Sequence, residues 1–342
     1  MGLQIGDIIP RRSITFADLK DKTIFIDAFN ALYQFISSIR QPDGTPLMDS
    51  KGRITSHLSG LFYRNISLLI DGIKPIYVFD GKPPSLKYRT LGEREQIKNK
   101  AKEEYEKAKD EEDIESMGKY SRQLSRLNEE IIETSKTLLI AMGIPTIQAP
   151  SEGESQAAFL AKTYGYAVGS QDYDTLLFGA PRLIQNLTLA KTKKTVSGTI
   201  YISPEIIELE KVLHTLQINL DQLICLGILV GTDYNQGGIR GIGQKRALQI
   251  VRQYHQPILI FQAVQKQIEQ QAETGNGFNW QEIFQLFHKP SINPNVTLEF
   301  LKFDEAKIRE ILLSYDFSPE RIGNQLAKLQ ESKRQLAQKT LF

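Results

Sequence analysis

Short apolar runs that end in acidic residues are the most regular pattern along this chain. Residues 24–26 and 76–79 are apolar at every position, which is typical of strands buried on both faces of a parallel sheet. A third run precedes residue 170. The acids that follow these runs are Asp27, Asp80, Asp172 and Asp174. The pattern predicts an α/β fold with a central, mostly parallel sheet flanked by helices.

Helical and strand periodicity predicts the remaining elements. The first strand covers about residues 23–27, and helices are predicted at about 57–71 and 130–142. A hairpin is predicted from residues 183–189 and 199–202, joined by a polar loop. These elements are expected to form one large core.

Acidic residues from distant segments are expected to meet at one edge of the sheet, because ligands of open α/β sheets bind at the carboxyl ends of the strands. Glu152 and Glu154, in the motif SEGES, open the helix before the third strand, and Asp233 follows another apolar run. Carboxylates that converge in this way can hold divalent ions. Two structural interpretations stay open. A single Asp after a strand is a common turn residue or cap, and Ser151 with Glu154 matches a capping box that leaves Glu152 without a role.

Composition narrows the function without deciding it. The 342 residues carry 42 basic and 40 acidic side chains, a net charge of +2, so any nucleic-acid surface must be local. The single cysteine, Cys225, lies in an apolar run and predicts a reducing compartment. Without an apolar run of about 18 residues or a signal-peptide core, we expect a soluble, intracellular protein with no membrane partner. Four histidines, all outside the acidic clusters, and one cysteine are too few for a zinc or thiol mechanism.

Residues 87–128 are highly charged and contain too few apolar side chains to form core. The first part, 87–102, is mainly basic, and residues 103–115 are mostly acidic. A solvated helical hairpin held by ion pairs stays open for the acidic part. For the basic part we favour phosphate binding, because it begins seven residues after Asp80 and so stands near the predicted metal site.

A glycine-rich turn at residues 231–243 leads into an amphipathic helix. Backbone N–H groups at Gly241 and Gly243 are placed to receive phosphate oxygens at the helix N-terminus, without reading base sequence. The cations beside them are Arg240, Lys245 and Arg246. A tight helix-to-helix turn without a ligand is the alternative.

Five motifs, in order along nearly the whole chain, resemble those of the flap endonucleases, the structure-specific 5′ nucleases of DNA replication and repair. They are IDAFNALYQF, TSHLSGLFYRNISLLIDGIKPIYVFDGKPPSLK, APSEGESQAAFLAK, SQDYDTLLFG and LVGTDYNQGGIRGIGQKRA. The long motif around Asp80 is the most specific. The compact length and the lack of a basic tail resemble an archaeal member, for which we expect a cytoplasmic location; a eukaryotic member would be nuclear.

The resemblance implies a PIN-like 5′-nuclease fold in one catalytic domain, residues 1–322. An inserted helical arch at about 83–135 would thread the 5′ single strand. A helix-two-turn-helix at about 219–256 would grip downstream duplex and hold K⁺ through backbone oxygens. The family's metal ligands fall on Asp27, Asp80, Glu152, Glu154, Asp172, Asp174 and Asp233. Of these, we assign catalysis foremost to Glu154 and Asp174.

Other residues receive roles from the resemblance alone. Lys87 and Arg94 match catalytic basic residues at the base of the arch that contact the scissile phosphate. Tyr33 matches an aromatic residue on which a base stacks, and Gly2 matches the residue that places the chain start near the site. The loop at 49–51 is less acidic than in eukaryotic relatives, whose acids help to close a pocket for a one-nucleotide 3′ flap. Whether this chain has that pocket is left open.

The tail, residues 323–342, resembles part of a sliding-clamp-binding motif. Gln338, Leu341 and Phe342 match it, without the usual pair of closing aromatic residues. A charged end without a partner is the alternative.

The implied reaction is hydrolysis of a DNA phosphodiester near the base of a 5′ flap, together with 5′–3′ exonuclease activity, in Okazaki-fragment maturation and DNA repair. Two Mg²⁺ ions, replaceable by Mn²⁺, would clamp the attacking and leaving oxygens. The expected substrate is branched DNA with 5′ flap or double-flap junctions, and the protein is expected to be a monomer. The alternatives are a 5′–3′ exonuclease or Holliday-junction resolvase of the same superfamily and a non-catalytic junction-binding protein.

Overall fold

The computed structural model describes most of the chain. The described residues are 3–41, 43–87, 92, 104, 107, 127–189, 192–195, 198–273, 275 and 277–339. Most of the predicted arch therefore lies outside the described residues. In the described part, seven strands form one sheet and two form a separate hairpin.

The seven-stranded sheet is mostly parallel. The strands of the chain are β1 (Arg12–Ser13), β2 (Thr23–Asp27), β3 (Lys74–Phe79), β4 (Thr146–Gln148), β5 (Ala167–Gly169), β6 (Arg182–Gln185), β7 (Thr192–Thr195), β8 (Gly198–Tyr201) and β9 (Glu205–Glu208). The order across the sheet is β1-β9-β6-β5-β2-β3-β4. Strands β6, β5, β2, β3 and β4 pair in parallel, and β9 and β1 pair antiparallel at one edge. The predicted fold class is confirmed.

Strand β2 lies at the point of the sheet where the strand order reverses. From β2 the chain adds β3 and β4 on one side and then returns to add β5 and β6 on the other. In open α/β sheets, ligands bind beyond the carboxyl ends of the strands at such a reversal. Because acidic residues end or follow β2, β3 and β5, the predicted site lies at this point.

Helices cover both faces of the sheet. They are α1 (Ala28–Ser38), α2 (Ser56–Ile70), α3 (Glu129–Ala141), α4 (Gly153–Tyr164), α5 (Asp174–Leu177), α6 (Leu209–Leu216), α7 (Leu220–Val230), α8 (Gln244–Tyr254), α9 (Pro257–Gln262), α10 (Gln265–Glu273), α11 (Trp280–His288), α12 (Glu305–Leu313) and α13 (Pro319–Lys339). One core lies between the sheet and α1, α2, α3, α12 and α13. A second core packs α5 to α11 against Leu183 and Ile207.

The hairpin predicted from residues 183–189 and 199–202 is wrong. Leu183 and Ile184 are fully buried in β6, between β5 and β9 of the main sheet. The hairpin is formed instead by β7 and β8, and β7 lies within the segment predicted as a polar loop. An apolar run that is buried on both faces belongs inside the sheet, whereas the polar segment beyond it pairs with its own neighbour.

Helix α13 continues through the boundary that we predicted between the catalytic domain and the tail at residue 323. Ile322, Leu326 and Leu329 recur at helical spacing and are buried in the core. The packed part of the chain therefore extends at least to Leu329. Leu341 and Phe342 lie outside the described residues, and of Gln338 only the backbone is described, so clamp binding stays a prediction.

No single helix in the described ranges is long and apolar enough to cross a membrane. One bent pair, α6 and α7, which meet at 81°, passes that test by length and composition alone. Cys225 is buried in α7, which agrees with its predicted place in the core.

His57, on α2, is a core histidine with one unpartnered nitrogen and an exposed fraction of 1%. Its Nε2 lies 3.0 Å from Thr134 Oγ1. Because the Thr134 hydroxyl donates to the Glu130 carbonyl, Nε2 carries the proton and donates, while Nδ1 has no partner. Burial lowers the pKa of His57 to about 4 and keeps the ring neutral.

We expect acid to destabilise the protein through His57. The unfolded chain takes up a proton near pH 6.5 and the folded chain only near pH 4, so the free energy of unfolding falls as the pH drops between these values. This residue should account for a loss of about 2 kcal/mol between pH 7 and pH 5. Urea unfolding of the His57→Leu variant, which should lack this loss, measures it, with the exposed His214→Gln as control. The same pH dependence in wild type and His57→Leu would contradict the assignment.

Candidate active site

Asn30 joins the acids that follow β2 and β5. Asp27 caps α1, and its Oδ1 accepts from the Asn30 backbone N–H at 3.0 Å. The Asn30 side chain donates from Nδ2 to Asp172 Oδ2 at 2.7 Å, and its Oδ1 accepts from the Gln171 backbone N–H at 3.1 Å. Asn30 therefore holds Asp27 through its backbone N–H and Asp172 through its side-chain amide, and so links the acids of two neighbouring strands.

Gly153 brings Asp80 against the start of α4. Its N–H donates to Asp80 Oδ1 at 2.7 Å, and a Cβ at this position would lie 2.6 Å from the same oxygen. A larger residue at this position would push the Asp80 carboxylate away from the start of α4. Helix α4 has Glu152 as its N-cap residue, and the Glu152 side chain does not cap the helix. The capping box considered for Ser151 and Glu154 is therefore wrong, which leaves Glu152 and Glu154 available to the site.

Lys87 binds two of the predicted ligands. Its Nζ lies 2.9 Å from Glu152 Oε1, 3.1 Å from Glu152 Oε2 and 3.2 Å from Asp233 Oδ2. Burial opposes the charge of this ammonium, but Glu152, Asp233 and Glu154 outweigh burial and raise the pKa of Lys87 above its ordinary value. Lys87 therefore stays protonated and positively charged among the acids.

Asp174 has the lowest exposed fraction of the buried acids, 4%. Its Oδ2 accepts from the Leu3 backbone N–H at 3.3 Å, and its Oδ1 is buried without a hydrogen-bond partner. An unpartnered buried carboxylate oxygen costs free energy that a bound cation or water would remove. The Leu3 contact brings the start of the described chain to the site, although Gly2 itself lies outside the described residues.

Burial and mutual repulsion raise the pKa values of four acids. The pKa of Asp27 is raised to about 8 by burial and then by the charge of Asp80. Burial, followed by the charge of Asp233, raises the pKa of Asp174 to about 7. The pKa of Asp80 is raised to about 6 by burial and then by the charge of Glu152. The pKa of Glu154 is also raised, by burial and then by Asp174, Asp27 and Asp172. All seven predicted ligands therefore belong to one electrostatic cluster.

The donor atoms of this cluster suit hard divalent ions. No group of three or more Asp, Glu, His or Cys side chains within the described residues is arranged to hold an ion directly. Mg²⁺ keeps several water ligands and binds through one or two carboxylates, so it does not require such a group. Carboxylate donors, raised pKa values and the unpartnered Asp174 Oδ1 together fit Mg²⁺ or Mn²⁺.

The turn between α7 and α8 presents cations around two exposed glycines. Gly241 has a φ of +81°, in the left-handed region that favours glycine, and Gly243 is the N-cap of α8. The exposed cations beside them are Arg240, Lys245 and Arg246. Such a surface binds phosphate oxygens through charge and backbone N–H groups.

Two side chains that contact the acids were missed in the sequence. Asn30 bridges Asp27 and Asp172, and the Tyr234 hydroxyl donates to Glu152 Oε2 at 2.9 Å. Burial and then the charge of Glu152 raise the pKa of Tyr234 well above its ordinary value, so the phenol stays protonated. The signal in the sequence that could have identified them is their proximity to predicted ligands, since Asn30 lies three residues after Asp27 and Tyr234 directly follows Asp233.

Two further residues with predicted roles are Tyr33 and Arg94. Tyr33 lies on α1 and is 40% exposed, which agrees with a place at the surface; its stacking role stays a prediction. Arg94 lies outside the described residues, so its role stays a prediction.

Comparison with known proteins decides the family. The XPG N-terminal domain matches residues 5–101 and the XPG I-region matches residues 143–233. Flap endonuclease 1 of Pyrococcus furiosus is 49% identical over 345 residues, which cover 100% of this chain and 98% of the relative. Flap endonuclease 1 of Hyperthermus butylicus is 47% identical over 342 residues, with coverage of 98% and 96%. The chain belongs to the flap endonuclease family.

A solved structure supports the architecture of this flap endonuclease. Flap endonuclease-1 from Methanococcus jannaschii is 42% identical, with a TM-score of 0.75 and coverage of 97% of this chain and 98% of that chain. All seven predicted ligands lie inside the two matched XPG regions. The enzyme is a structure-specific 5′ flap endonuclease that acts on DNA, and the alternative functions are not favoured.

Proposed function

We propose that this flap endonuclease hydrolyses the phosphodiester with two Mg²⁺ ions, which Mn²⁺ can replace. The proposed ligands, which would bind the ions directly or through bound water, are Asp27, Asp80, Glu152, Glu154, Asp172, Asp174 and Asp233. The observation that carries the proposal is the buried cluster itself, in which carboxyls raise one another's pKa and Asp174 Oδ1 has no partner. Such a cluster is unfavourable until cations neutralise it.

The chain's own groups prepare the site in three ways. Asn30 fixes Asp27 and Asp172, and Gly153 fixes Asp80. When bound, the ions supply electrostatic stabilisation of the attacking and leaving oxygens. Lys87 donates to the phosphoryl oxygens as negative charge builds there, in exchange for its present contacts with Glu152 and Asp233. Arg94 is proposed to share that role.

DNA binding is proposed to depend on shape and phosphate contacts. The exposed Arg240, Lys245 and Arg246 and the backbone near Gly241 would hold downstream duplex, with a K⁺ ion at backbone oxygens of the same turn. Tyr33 would stack on a base near the cleavage site. We propose 5′–3′ exonuclease activity at the same site and a monomeric enzyme that binds a sliding clamp through its tail.

The proposal is tested with end-labelled double-flap DNA in Mg²⁺ or in chelator. We expect cleavage at the flap base only with the ion, and slower cleavage of nicked, blunt-ended and four-way substrates. Cleavage in chelator would refute the metal site. A preference for the four-way junction would favour resolvase activity instead.

Replacing Lys87 by alanine should slow the chemical step more than it weakens flap binding. Loss of one positioned donor to a developing anion typically lowers kcat by about 10²- to 10³-fold. Single-turnover cleavage and equilibrium binding separate the two effects. Lys307→Ala, which removes a surface lysine paired with Glu310 at 2.7 Å, is the control. A change confined to the Kd of the flap would assign Lys87 to substrate positioning.

A further inference from the structure

Tyr234 makes a buried hydrogen bond to Glu152, one of the proposed metal ligands. Its Oη donates to Glu152 Oε2 at 2.9 Å, and the exposed fractions of the two residues are 8% and 6%. A phenol that donates to a carboxylate forms a charge-assisted hydrogen bond, which is stronger than a neutral one. The contact is therefore suited to fixing the orientation of the Glu152 carboxylate.

Glu152 is not oriented by its own helix. It is the N-cap residue of α4, but its side chain does not cap the helix terminus. Its carboxylate is held by Lys87 and by Tyr234. In the proposed reaction Lys87 moves to the phosphoryl oxygens, and Tyr234 is the partner that stays on Glu152.

Tyr234 is itself held firmly. Its ring meets the Phe287 ring edge to face, with centroids 5.5 Å apart and an interplanar angle of 71°. Its backbone N–H donates to Thr232 Oγ1 at 3.2 Å. Asn235 Oδ1 accepts from the Thr232 N–H at 3.1 Å, and Asn235 Nδ2 donates to a carbonyl of α7 at 2.7 Å. A buried, hydrogen-bonded turn therefore places the phenol against Glu152.

The same turn connects two parts of the molecule. Asp233, the residue before Tyr234, contacts Lys87 at 3.2 Å. Beyond Asn235 the turn continues to Gly241 and the start of α8, where the phosphate-binding surface lies. The segment that carries the proposed duplex-binding groups therefore also contacts both members of the Lys87 and Glu152 pair.

We propose that Tyr234 is a positioning residue of the metal site. Its phenol sets the Glu152 carboxylate for ion binding and ties that carboxylate to the duplex-binding turn. The inference rests on the proposed two-ion function. Groups that orient ligating side chains contribute about 10- to 100-fold to metal affinity or activity.

The test is the Tyr234→Phe variant, which removes one hydroxyl and keeps the ring that packs on Phe287. Isothermal titration calorimetry without DNA should show a Kd for Mg²⁺ about tenfold higher than in wild type. The Mg²⁺ dependence of single-turnover cleavage should move to higher concentration by the same factor. Flap binding in chelator should keep the wild-type Kd.

Tyr77→Phe is the matched control. Tyr77 is fully buried, and its hydroxyl donates to Asn65 Oδ1 at 3.2 Å, so the variant also loses one buried phenol hydrogen bond. It should keep the wild-type Kd for Mg²⁺, and thermal unfolding in chelator reports the folding of both variants. If wild type binds no Mg²⁺, the proposed function fails. If wild type binds Mg²⁺ and Tyr234→Phe binds it equally well, or if both variants lose affinity equally, the positioning role of Tyr234 is refuted.

Discussion

Replacing Asp174 by alanine should abolish flap cleavage and leave flap binding in place. Asp174 is nearly enclosed, its Oδ1 is unpartnered, and its charge contributes to the raised pKa of Glu154. We expect the cleavage rate to fall at least about 10³-fold, because the ions that stabilise the attacking and leaving oxygens would lose a ligand. The duplex-binding turn is formed by other residues, so the Kd for flap DNA should change little.

Single-turnover cleavage and fluorescence anisotropy with a labelled flap measure the two quantities separately. Glu310→Ala removes an acidic side chain that is 67% exposed and should retain wild-type cleavage. Normal turnover by the Asp174→Ala variant would remove Asp174 from the proposed set of ligands. A matching loss of binding would mean that the substitution disturbs more than the chemical step.

In chelator, the cluster of acids should make the protein less stable as the pH rises from 5 to 8. The folded-state pKa values of Asp80, Asp174 and Asp27 are raised to about 6, 7 and 8 from an ordinary value of 3.8. A carboxyl with a raised pKa contributes its full stability below its unfolded-state pKa and loses it as the pH rises through the folded-state value. Raising one pKa from about 4 to about 7 corresponds to roughly 4 kcal/mol, so we expect a loss of at least this order.

Mg²⁺ should reverse this loss. One ion that binds only the folded chain stabilises it by about 2.7 kcal/mol at 100 times its Kd. The measurement is the free energy of unfolding in urea with Mg²⁺ minus that in chelator, between pH 5 and pH 8. His57 contributes equally to both conditions and cancels in the difference. A difference that does not grow with pH would contradict an ion site among these carboxylates, whereas Asp174→Asn should stabilise the chain in chelator at pH 8.

The predictable parts of the fold are those in which the hydrophobic pattern of a segment allows only one place in the folded protein. Strand β2 begins and ends at the predicted residues, because a fully apolar run between polar neighbours suits only the centre of a parallel sheet. The acids at the carboxyl ends of β2, β3 and β5 were predictable for the same reason, since the direction of parallel strands fixes which ends meet.

The errors concern features that depend on tertiary contacts rather than on the local sequence. The apolar pair Leu183 and Ile184 suits either a hairpin or the main sheet, and its pairing with β5 and β9 depends on segments distant in sequence. The contacts of Asn30 and Tyr234 with the acids have no periodic signal, because each depends on the meeting of two separate elements. The burial of Leu326 and Leu329 was missed because a charged helix with a narrow apolar stripe looks like a solvated end.

The order of the proposed ligands along the chain determines how late in synthesis the metal site can form. A nascent polypeptide that has emerged from the ribosome as far as β6 already carries six of the proposed ligands, but it lacks Asp233, Tyr234 and the whole turn before α8. The proposed metal site can therefore be complete only after the turn before α8 has been synthesised, so a chain that ends at β6 should not cleave flap DNA.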